Sequence, residues 1–588
     1  CGQIMNEPKD QDKANVEQVG EHIAEEIISD VEGAEEATLP LHLRMQLWAR
    51  RRPITHIFWR LSILLVGLGL LVAGAAMLVL PGPGWAAIFL GLVVLGSEFA
   101  WAHRLSLPLK KVFEWGLERA KKQAENPESR RKIKIAISAG LVAVLAVAIL
   151  LVPKVRTGAI ASSSSPTPAW VQSSVIYEVN IRQYTEAGTF DAFRENLPRL
   201  KELGVDILWL MPIYPISVEG RKGTEGSYYS IADYTAVNPE FGTETDLHEL
   251  IDEAHSLGFK VIFDWVANHT GWDNQWIFDH PDWYTKDLDG NITWPPGTDW
   301  TDVADLDYSN NEMRAAMIDA MEYWVTEFDI DGYRCDVAGA VPVGFWNDAR
   351  TALEQIKPLF MLAEDSDHIE LLNSAFSANY GWKLQDQMRG LAVGDKRAFF
   401  FKSFVNINRS RYLTGSFPMT FITNHDENSW NGTEFERYGK FVKSMAALTF
   451  TYPGIPLIYS GQEVGFNRRL QFFEKDQIDW APSTWTSFYQ KLIDFKKSNP
   501  VLNSSTGGAL KLLTTDNDRT IAFSRKKNGN VVVFVMNLSK KAQTTQVTLN
   551  LPGKYKRYAD SASVKFRKKF SVTLKGAGFE IFSSGSSS

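Results

Sequence analysis

The stretch "DGYRCDVAG", Asp331 to Gly339, is the part of the sequence from which the fold can be worked out. In an extended strand, successive side chains point to opposite faces. Arg334 and Asp336 therefore share one face, whereas Cys335 takes the other. A basic and an acidic side chain placed in this way form either a structural ion pair or part of a site, and the neighbouring elements decide between these possibilities.

Strand-like and helical patterns alternate on both sides of this stretch. The strand-like runs are "VIYEV" (Val175 to Val179), "DILWLM" (Asp206 to Met211), "KVIFDWV" (Lys260 to Val266), "GYRCDV" (Gly332 to Val337), "FMLAE" (Phe360 to Glu364), "MTFIT" (Met419 to Thr423) and "IPLIY" (Ile455 to Tyr459). Such alternation predicts a parallel sheet with crossover helices. Region 170–498 fits a (β/α)8 TIM barrel with an insertion, since the bare barrel needs roughly 250 residues. An open doubly wound sheet is the alternative, but no glycine-rich fingerprint follows the first strand.

Two further regions adjoin the predicted barrel. A Trp-rich and turn-rich excursion follows the third strand, and it predicts an inserted lobe over 269–310. Beyond residue 499, short β-rich runs carry an Asn528-Gly529 hairpin signal. The fold class is therefore α/β, and segment 499–588 is predicted to form a C-terminal β-sandwich.

The first part of the chain has the pattern of a membrane protein. Leu61 to Leu80 is uncharged over 20 residues, which is the length that crosses a bilayer as a helix. "PGPGW" interrupts the helix at Pro81 to Trp85, and further apolar runs follow at Ala86 to Ala102 and Ile135 to Val152. We therefore expect a three-helix transmembrane region over 57–156. A Ser/Pro linker over 157–169 then leads to the barrel.

The basic residues predict the orientation of this region. Segment 1–56 is acidic at first and ends in an arginine-rich juxtamembrane stretch, and a Lys/Arg-rich stretch from Arg104 to Lys134 lies between the second and third runs. Both basic stretches are expected in the cytoplasm, so the predicted barrel of this multi-pass protein is expected on the extracytoplasmic side of a bacterial cell membrane. The start Cys1-Gly2-Gln3 resembles a mature lipoprotein and favours an outside amino terminus, but fewer residues support that reading. Core helices of a soluble domain are the other alternative.

Composition limits the expected partners. The chain has 588 residues, 12% aromatic residues and a formal net charge of -7. Aromatic faces stack on sugar rings, and carboxylates accept hydrogen bonds from sugar hydroxyls. The chain as a whole lacks the basic surface that nucleic acids require, so we expect a glycan and membrane lipid as partners and no nucleic acid. With two cysteines, Cys1 and Cys335, a disulfide framework is excluded.

Charged side chains follow several of the predicted strands. In a TIM barrel, the carboxyl ends of the strands converge on one mouth. The residues at these ends are Asp264 with His269, Arg334 with Asp336, Glu364, and His425 with Asp426. Retaining sugar hydrolysis needs one carboxylate as nucleophile and one carboxylic acid as proton donor, about 5 to 5.5 Å apart. Arg334 would hold Asp336 ionised, whereas neighbouring negative charge would keep Glu364 protonated.

Four ordered motifs resemble those of the α-amylase family, glycoside hydrolase family 13. They are "DWVANH" (Asp264 to His269), "GYRCDVA" (Gly332 to Ala338), "AEDS" around Glu364 and "ITNHDEN" (Ile422 to Asn428). The resemblance covers about residues 170–582 and implies Asp336 as nucleophile, Glu364 as acid/base and Asp426 as transition-state stabiliser. It further implies that Arg334, His269 and His425 contact the nucleophile or the sugar, and that Tyr229 stacks beneath the sugar. Separately, residues 50–105 resemble a family of membrane proteins named for the PGPGW motif.

The resemblance implies no required cofactor and leaves calcium as an option. Asn268 and Asp307 resemble two ligands of the family's calcium site, and oxygen ligands suit calcium. However, the Lys-His pair that many α-amylases carry after the nucleophile is replaced here by "AGAVP", Ala338 to Pro342. This departure weakens both the starch-type acceptor subsite and the calcium assignment.

Together with the apolar runs, the α-amylase resemblance implies a membrane-tethered retaining α-glycosidase that hydrolyses α-glucosidic bonds in maltooligosaccharides or starch-like glucans. A transglycosidase of the same family uses the same covalent intermediate and is the first alternative. A catalytically silent, amylase-like partner subunit of a membrane transporter is the second alternative. The presence of Asp336, Glu364 and Asp426 together disfavours this second alternative.

Overall fold

The computed structural model describes residues 167–408, 411–412 and 415–585. The predicted transmembrane region 57–156 and most of the linker 157–169 lie outside these residues. Within the described ranges, no helix combines the length and the apolar character needed to cross a bilayer.

Eight parallel strands close into a barrel, which confirms the predicted TIM barrel. Around the barrel the order is β1, β2, β3, β6, β7, β8, β9 and β10, and β10 pairs with β1 to close the ring. These strands are β1 (Ile176–Val179), β2 (Ile207–Leu210), β3 (Lys260–Trp265), β6 (Gly332–Cys335), β7 (Phe360–Ala363), β8 (Ala378–Tyr380), β9 (Phe417–Thr420) and β10 (Ile455–Tyr459). The strand β8 was not among the seven strands predicted from the sequence.

Alternating side chains of the barrel strands divide into two apolar clusters. Ile176 and Phe360 belong to a cluster formed largely by alternate residues of the barrel strands. Their sequence neighbours Tyr177 and Met361 belong to the cluster that includes the buried faces of the surrounding helices. Because both faces of every strand are buried, the strands read as continuous apolar runs in the sequence.

Helices follow the barrel strands, and one of them, Gln275–Asp279, belongs to the inserted lobe between β3 and β6. They are α1 (Ile181–Tyr184), α2 (Phe190–Arg194), α3 (Leu197–Leu203), α4 (Glu244–Ser256), α5 (Gln275–Asp279), α6 (Asn311–Phe328), α7 (Val343–Ile356), α8 (Trp382–Val393), α9 (Ala398–Asn408), α10 (Glu434–Tyr438), α11 (Val442–Thr451) and α12 (Thr484–Lys497). In α6, the Asn310 side chain caps the first turn by accepting from the backbone of Glu312 and Met313. Its buried face includes Met317 and Trp324. Asp329, in the left-handed conformation, ends α6 just before β6.

The excursion after β3 forms a small lobe above the barrel. Its two short strands, β4 (His269–Gly271) and β5 (Val303–Asp305), pair antiparallel. His269 begins β4 and pairs with Asp305. Segment 299–303 returns from the tip of the lobe to the barrel mouth, where several of its residues line the cleft described below.

Two antiparallel sheets form the C-terminal region, in agreement with the predicted β-sandwich. One sheet has the order β11, β13, β14, β19, β16, β17, and the other has the order β12, β15, β18. The strands are β11 (Ala509–Leu512), β12 (Thr514–Thr515), β13 (Thr520–Lys527), β14 (Asn530–Asn537), β15 (Gln543–Thr548), β16 (Gly553–Arg557), β17 (Ser563–Phe566), β18 (Lys569–Leu574) and β19 (Phe579–Ser584). The sheets share an apolar core that includes Val533 and Val547. Asn528 and Gly529, both with positive φ, form the turn that the sequence predicted.

Candidate active site

Arg334 occupies the centre of the barrel mouth and contacts three carboxyl groups. Its side chain is fully buried. Its Nη1 lies 2.7 Å from Oδ1 of Asp264 and 3.0 Å from Oδ1 of Asp336, and its Nη2 lies 2.7 Å from Oε2 of Glu364. Because Asp336 and Glu364 contact the same guanidinium, the ends of β6 and β7 present both carboxyl groups at one rim.

The backbone around β6 places these side chains. Gly332 begins the strand with φ 155°, and a Cβ at this position would lie 1.9 Å from the Phe360 carbonyl oxygen of β7. Only glycine permits this close approach. The strand ends at Cys335, and Val337 follows Asp336 with φ 33°. This left-handed conformation is strained for a β-branched residue, and it directs the Val337 N–H to Oε2 of Glu364 at 2.9 Å.

Burial sets the protonation of the two carboxyl groups. Removal from water raises the pKa of both Asp336 and Glu364 above the ordinary values, although Arg334 acts in the opposite direction on each. The negative charges of Asp336 and Asp426 raise the pKa of Glu364 further. The arrangement therefore favours a protonated Glu364 beside an ionised Asp336.

His425 links the third carboxylate of the site to a buried glutamate at the end of β1. Its Nε2 lies 3.3 Å from Oδ2 of Asp426, and its Nδ1 contacts Oε1 of Glu178. Burial lowers the pKa of His425, but the carboxylates of Asp426 and Glu178 outweigh burial and raise that pKa to about 9. His425 is therefore a cation at neutral pH, oriented by Glu178 and adjacent to Asp426.

Tyr229 forms part of the wall next to these charges. Its hydroxyl donates to Oδ2 of Asp264 at 3.1 Å and lies 2.9 Å from Nε2 of His425. Its ring stacks against His425 with a centroid separation of 5.6 Å, and the Arg334 guanidinium lies 5.5 Å from the ring centroid. These contacts fix the Tyr229 ring beside Asp336, so the ring is suited to pack against a bound sugar.

A cleft of about 570 Å³ opens above these groups. Asp336, Glu364, Asp426, His269, His425 and Tyr229 all line it, together with Lys222, Asp299, Trp300, Asp302, Trp430, Phe472 and Phe473. The cleft thus combines aromatic rings with a few charged groups, which is typical of a small-molecule site. The structure brings together all seven residues that the sequence analysis placed around a sugar, since Arg334 lies directly behind Asp336 and Glu364.

Comparison with known proteins identifies the family. Residues 172–294 and 297–530 match the family described as alpha amylase, catalytic domain. The chain belongs to the alpha-amylase family. Residues 513–585 match the alpha amylase C-terminal all-beta domain, and residues 60–112 match the PGPGW family of predicted transmembrane proteins.

Solved structures and curated relatives agree with this membership. An alpha-amylase from Lactobacillus plantarum is 32% identical, with a TM-score of 0.63, and the similarity covers 71% of this chain and 99% of that one. The maltogenic alpha-amylase AmyB from Thermotoga neapolitana is 30% identical, with a TM-score of 0.64 and coverage of 70% and 98%. Alpha-amylase MalA from Haloarcula japonica is 27% identical over 425 residues; this chain spans 61% of that relative's length, and the match covers 68% of this chain.

The two residues that resemble the family's calcium ligands, Asn268 and Asp307, lie on neighbouring segments and make hydrogen bonds within the protein. Asn268 lies next to the segment of Asp307, because its carbonyl accepts from the Leu306 N–H at 3.2 Å. However, the Asn268 amide contacts His269, and Oδ1 of Asp307 accepts from the Ser309 N–H. In the described ranges, no group of three or more His, Cys, Asp or Glu side chains is placed to hold a metal ion.

The sequence analysis missed two buried residues of this alpha-amylase site. Glu178, on β1, contacts His425 as described, and Tyr380, on β8, accepts from Nε of Arg334 at 3.0 Å. Both residues lie inside short barrel strands. A charged residue within the apolar run "VIYEV" is the signal that could have identified Glu178.

Proposed function

We propose that this chain is a retaining α-glycosidase that hydrolyses α-glucosidic bonds in maltooligosaccharides or starch-like glucans. The observation that carries the proposal is the Arg334 guanidinium shared by Asp336 and Glu364. Retaining hydrolysis needs two carboxyl groups in different protonation states at one sugar carbon. The names of the similar proteins, alpha-amylase and maltogenic alpha-amylase, support an α-glucan as the substrate.

The proposed reaction has two steps. In the first, a carboxylate oxygen of Asp336 bonds to the anomeric carbon, the glycosidic C–O bond breaks, and the proton of Glu364 passes to the leaving oxygen. In the second, the Glu364 carboxylate takes a proton from water, whose oxygen displaces Asp336 from the sugar. Two inversions give a product that retains the α configuration.

The remaining charged residues have supporting roles in this proposal. Arg334 keeps Asp336 ionised and directed at the sugar. Asp426, adjacent to the His425 cation, binds ring hydroxyls and stabilises the positive charge that develops on the sugar. Tyr229 and His269 line the subsite that holds this sugar, with Tyr229 packing against its ring.

Product analysis on maltoheptaose tests the proposed function. Hydrolysis by the full chain is expected to give only shorter oligosaccharides with α-1,4 bonds. Oligosaccharides longer than the substrate, or new linkages, would identify the transglycosidase instead. A complete absence of products from the folded protein would contradict the proposed hydrolysis and would favour the catalytically silent alternative.

The protonation states predict a bell-shaped pH dependence of kcat/KM. Activity needs an ionised Asp336, so it falls as the pH drops through the pKa of that group, which burial has raised. Activity also needs a protonated Glu364, so it falls as the pH rises through a pKa that burial and neighbouring carboxylates have raised. The alkaline limb should therefore lie well above the ordinary glutamate pKa. Activity that keeps increasing up to pH 10 would contradict this assignment.

We further propose that residues 57–156 anchor the enzyme in the membrane and that 157–169 tether the barrel outside the cell. The apolar runs and the PGPGW match over 60–112 support this location. Thr167 hydrogen-bonds to the Gly415 carbonyl shortly before β9, so the tether joins the barrel at the amino ends of its strands, opposite the cleft. Protease added to intact spheroplasts should release the active barrel. Cleavage only after lysis would contradict this orientation.

A further inference from the structure

A loop after β2 crosses the cleft at the barrel mouth. We name this loop, residues 218–226, the strap. On one side it contacts the inserted lobe, since Nζ of Lys222 lies 2.8 Å from Oδ1 of Asp302 and donates to the Asp299 carbonyl at 2.9 Å. The Asp302 side chain is 7% exposed, so this ion pair is largely buried on its acidic side.

The next residues of the strap contact the opposite wall, which is the loop after β10. The Glu225 N–H donates to the Phe473 carbonyl at 2.9 Å, and the Thr224 N–H donates to Oε1 of Glu474 at 3.1 Å. Gly223 has φ 66°, and a Cβ there would lie 2.4 Å from Cβ of Phe473. The strap backbone therefore packs directly on Phe473. Consecutive residues of the strap connect the inserted lobe to the loop after β10.

Arg182 fixes the base of the strap. Its side chain is 3% exposed, and it donates to the carbonyls of Glu225 at 3.1 Å and Gly226 at 3.3 Å. Its guanidinium also lies 4.4 Å from the ring centroid of Tyr228. The strap is therefore held at its base and on both walls of the cleft.

The strand order shows which end of the cleft the strap closes. β1 lies between β2 and β10 in the barrel, so a strap from the β2 loop to the β10 loop passes over the β1 side. β7, whose end carries Glu364, lies diametrically opposite β1 in the ring. A proton donor must stand on the side of the leaving sugar. The strap therefore lies at the opposite end of the cleft from the leaving sugar. This end of the cleft binds the part of the glucan that carries the non-reducing end.

We propose that the strap, through Lys222 and its contact with Phe473, closes the cleft beyond the non-reducing end of the bound glucan. This inference rests on the proposed hydrolysis at Asp336 and Glu364. Lys222, Asp299, Asp302 and Phe473 line the same cleft as those two residues. The enzyme then acts from chain ends and releases short products, and it does not cut within a continuous chain.

Substrates with a blocked chain end test this proposal on the full-length protein. We expect maltoheptaose with a 4,6-O-ethylidene group on its non-reducing glucose to be cleaved at least about tenfold more slowly than unblocked maltoheptaose. Lys222→Ala should remove most of that difference by opening the closed end. Phe473→Ala keeps the backbone contact with the strap and leaves no buried carboxylate unpaired, but it removes a ring that lines the cleft, so it should also open the closed end.

Lys475→Ala is the matched control. Lys475 belongs to the same loop as Phe473, but its Nζ donates to the Ala187 carbonyl outside the cleft. The preference of this variant for unblocked substrate should equal that of the wild type. Equal wild-type rates on blocked and unblocked maltoheptaose would overturn the role of the strap. The role would also be overturned if both Lys222→Ala and Phe473→Ala kept the wild-type preference for the unblocked substrate. Failure to cleave either substrate would instead overturn the proposed hydrolysis.

Discussion

Replacing Asp336 with asparagine is expected to reduce turnover of maltoheptaose by at least about 10⁴-fold. The amide has nearly the same shape as the carboxylate, but it carries no charge and is a poor nucleophile. Arg334 keeps its contacts with Asp264 and Glu364, so the buried guanidinium is not left without acidic partners. The variant should therefore fold. Steady-state rates measure the loss of turnover, and the thermal unfolding temperature measures whether the fold is retained.

Asp289→Asn is the control for the Asp336 substitution. Asp289 lies exposed in a turn of the inserted lobe, away from the residues that line the cleft. The same chemical change there should leave turnover near the wild-type value. Substantial maltoheptaose hydrolysis by Asp336→Asn, from protein free of wild-type contamination, would remove Asp336 from the mechanism.

Replacing Glu364 with glutamine is expected to have an effect that depends on the leaving group. Glutamine cannot donate the proton, so hydrolysis of maltoheptaose should fall by about 10²- to 10⁴-fold. An α-glucoside with a strongly acidic phenol as leaving group needs little protonation, so formation of the glycosyl-enzyme should be much less affected. Burst kinetics with such a substrate separate this first step from the slower second step.

Azide provides a second test of the Glu364 assignment. A small anionic nucleophile needs no general base, so azide should accelerate the second step in Glu364→Gln and give α-glucosyl azide. The alkaline limb of the pH profile should also disappear in this variant. An equal loss on both kinds of substrate, without rescue by azide, would contradict a role in proton transfer.

The site around β6 was largely predictable because strand geometry is local. Alternation alone placed Arg334 and Asp336 on one face, and their atoms lie 3.0 Å apart. Alternation also placed Cys335 on the other side, where it is fully buried. The convergence of Glu364 and His425 on the same mouth followed from the rule that the carboxyl ends of parallel strands meet.

Other features depend on contacts that no local pattern predicts. The strand β8, Ala378–Tyr380, has three residues, which is too short for a period-2 pattern to stand out. The strap is a polar loop in the sequence, and its role depends on partners about 80 and 250 residues further along, Asp299 with Asp302 and Phe473 with Glu474. The calcium hypothesis at Asn268 and Asp307 rested on their resemblance to two ligands of the family's calcium site, and it stays a prediction; the structure shows that their side chains make hydrogen bonds within the protein.

Mass spectrometry of a trapped glycosyl-enzyme would show whether Asp336 is the nucleophile. A 5-fluoro-α-glucosyl fluoride has a good leaving group, and its fluorine slows both steps by destabilising positive charge on the sugar, so the covalent intermediate accumulates. We expect one added fluorosugar on the peptide that contains Asp336, and none in Asp336→Asn. A label on any other carboxylate would contradict this role of Asp336, as would hydrolysis that releases the β anomer without a labelled intermediate.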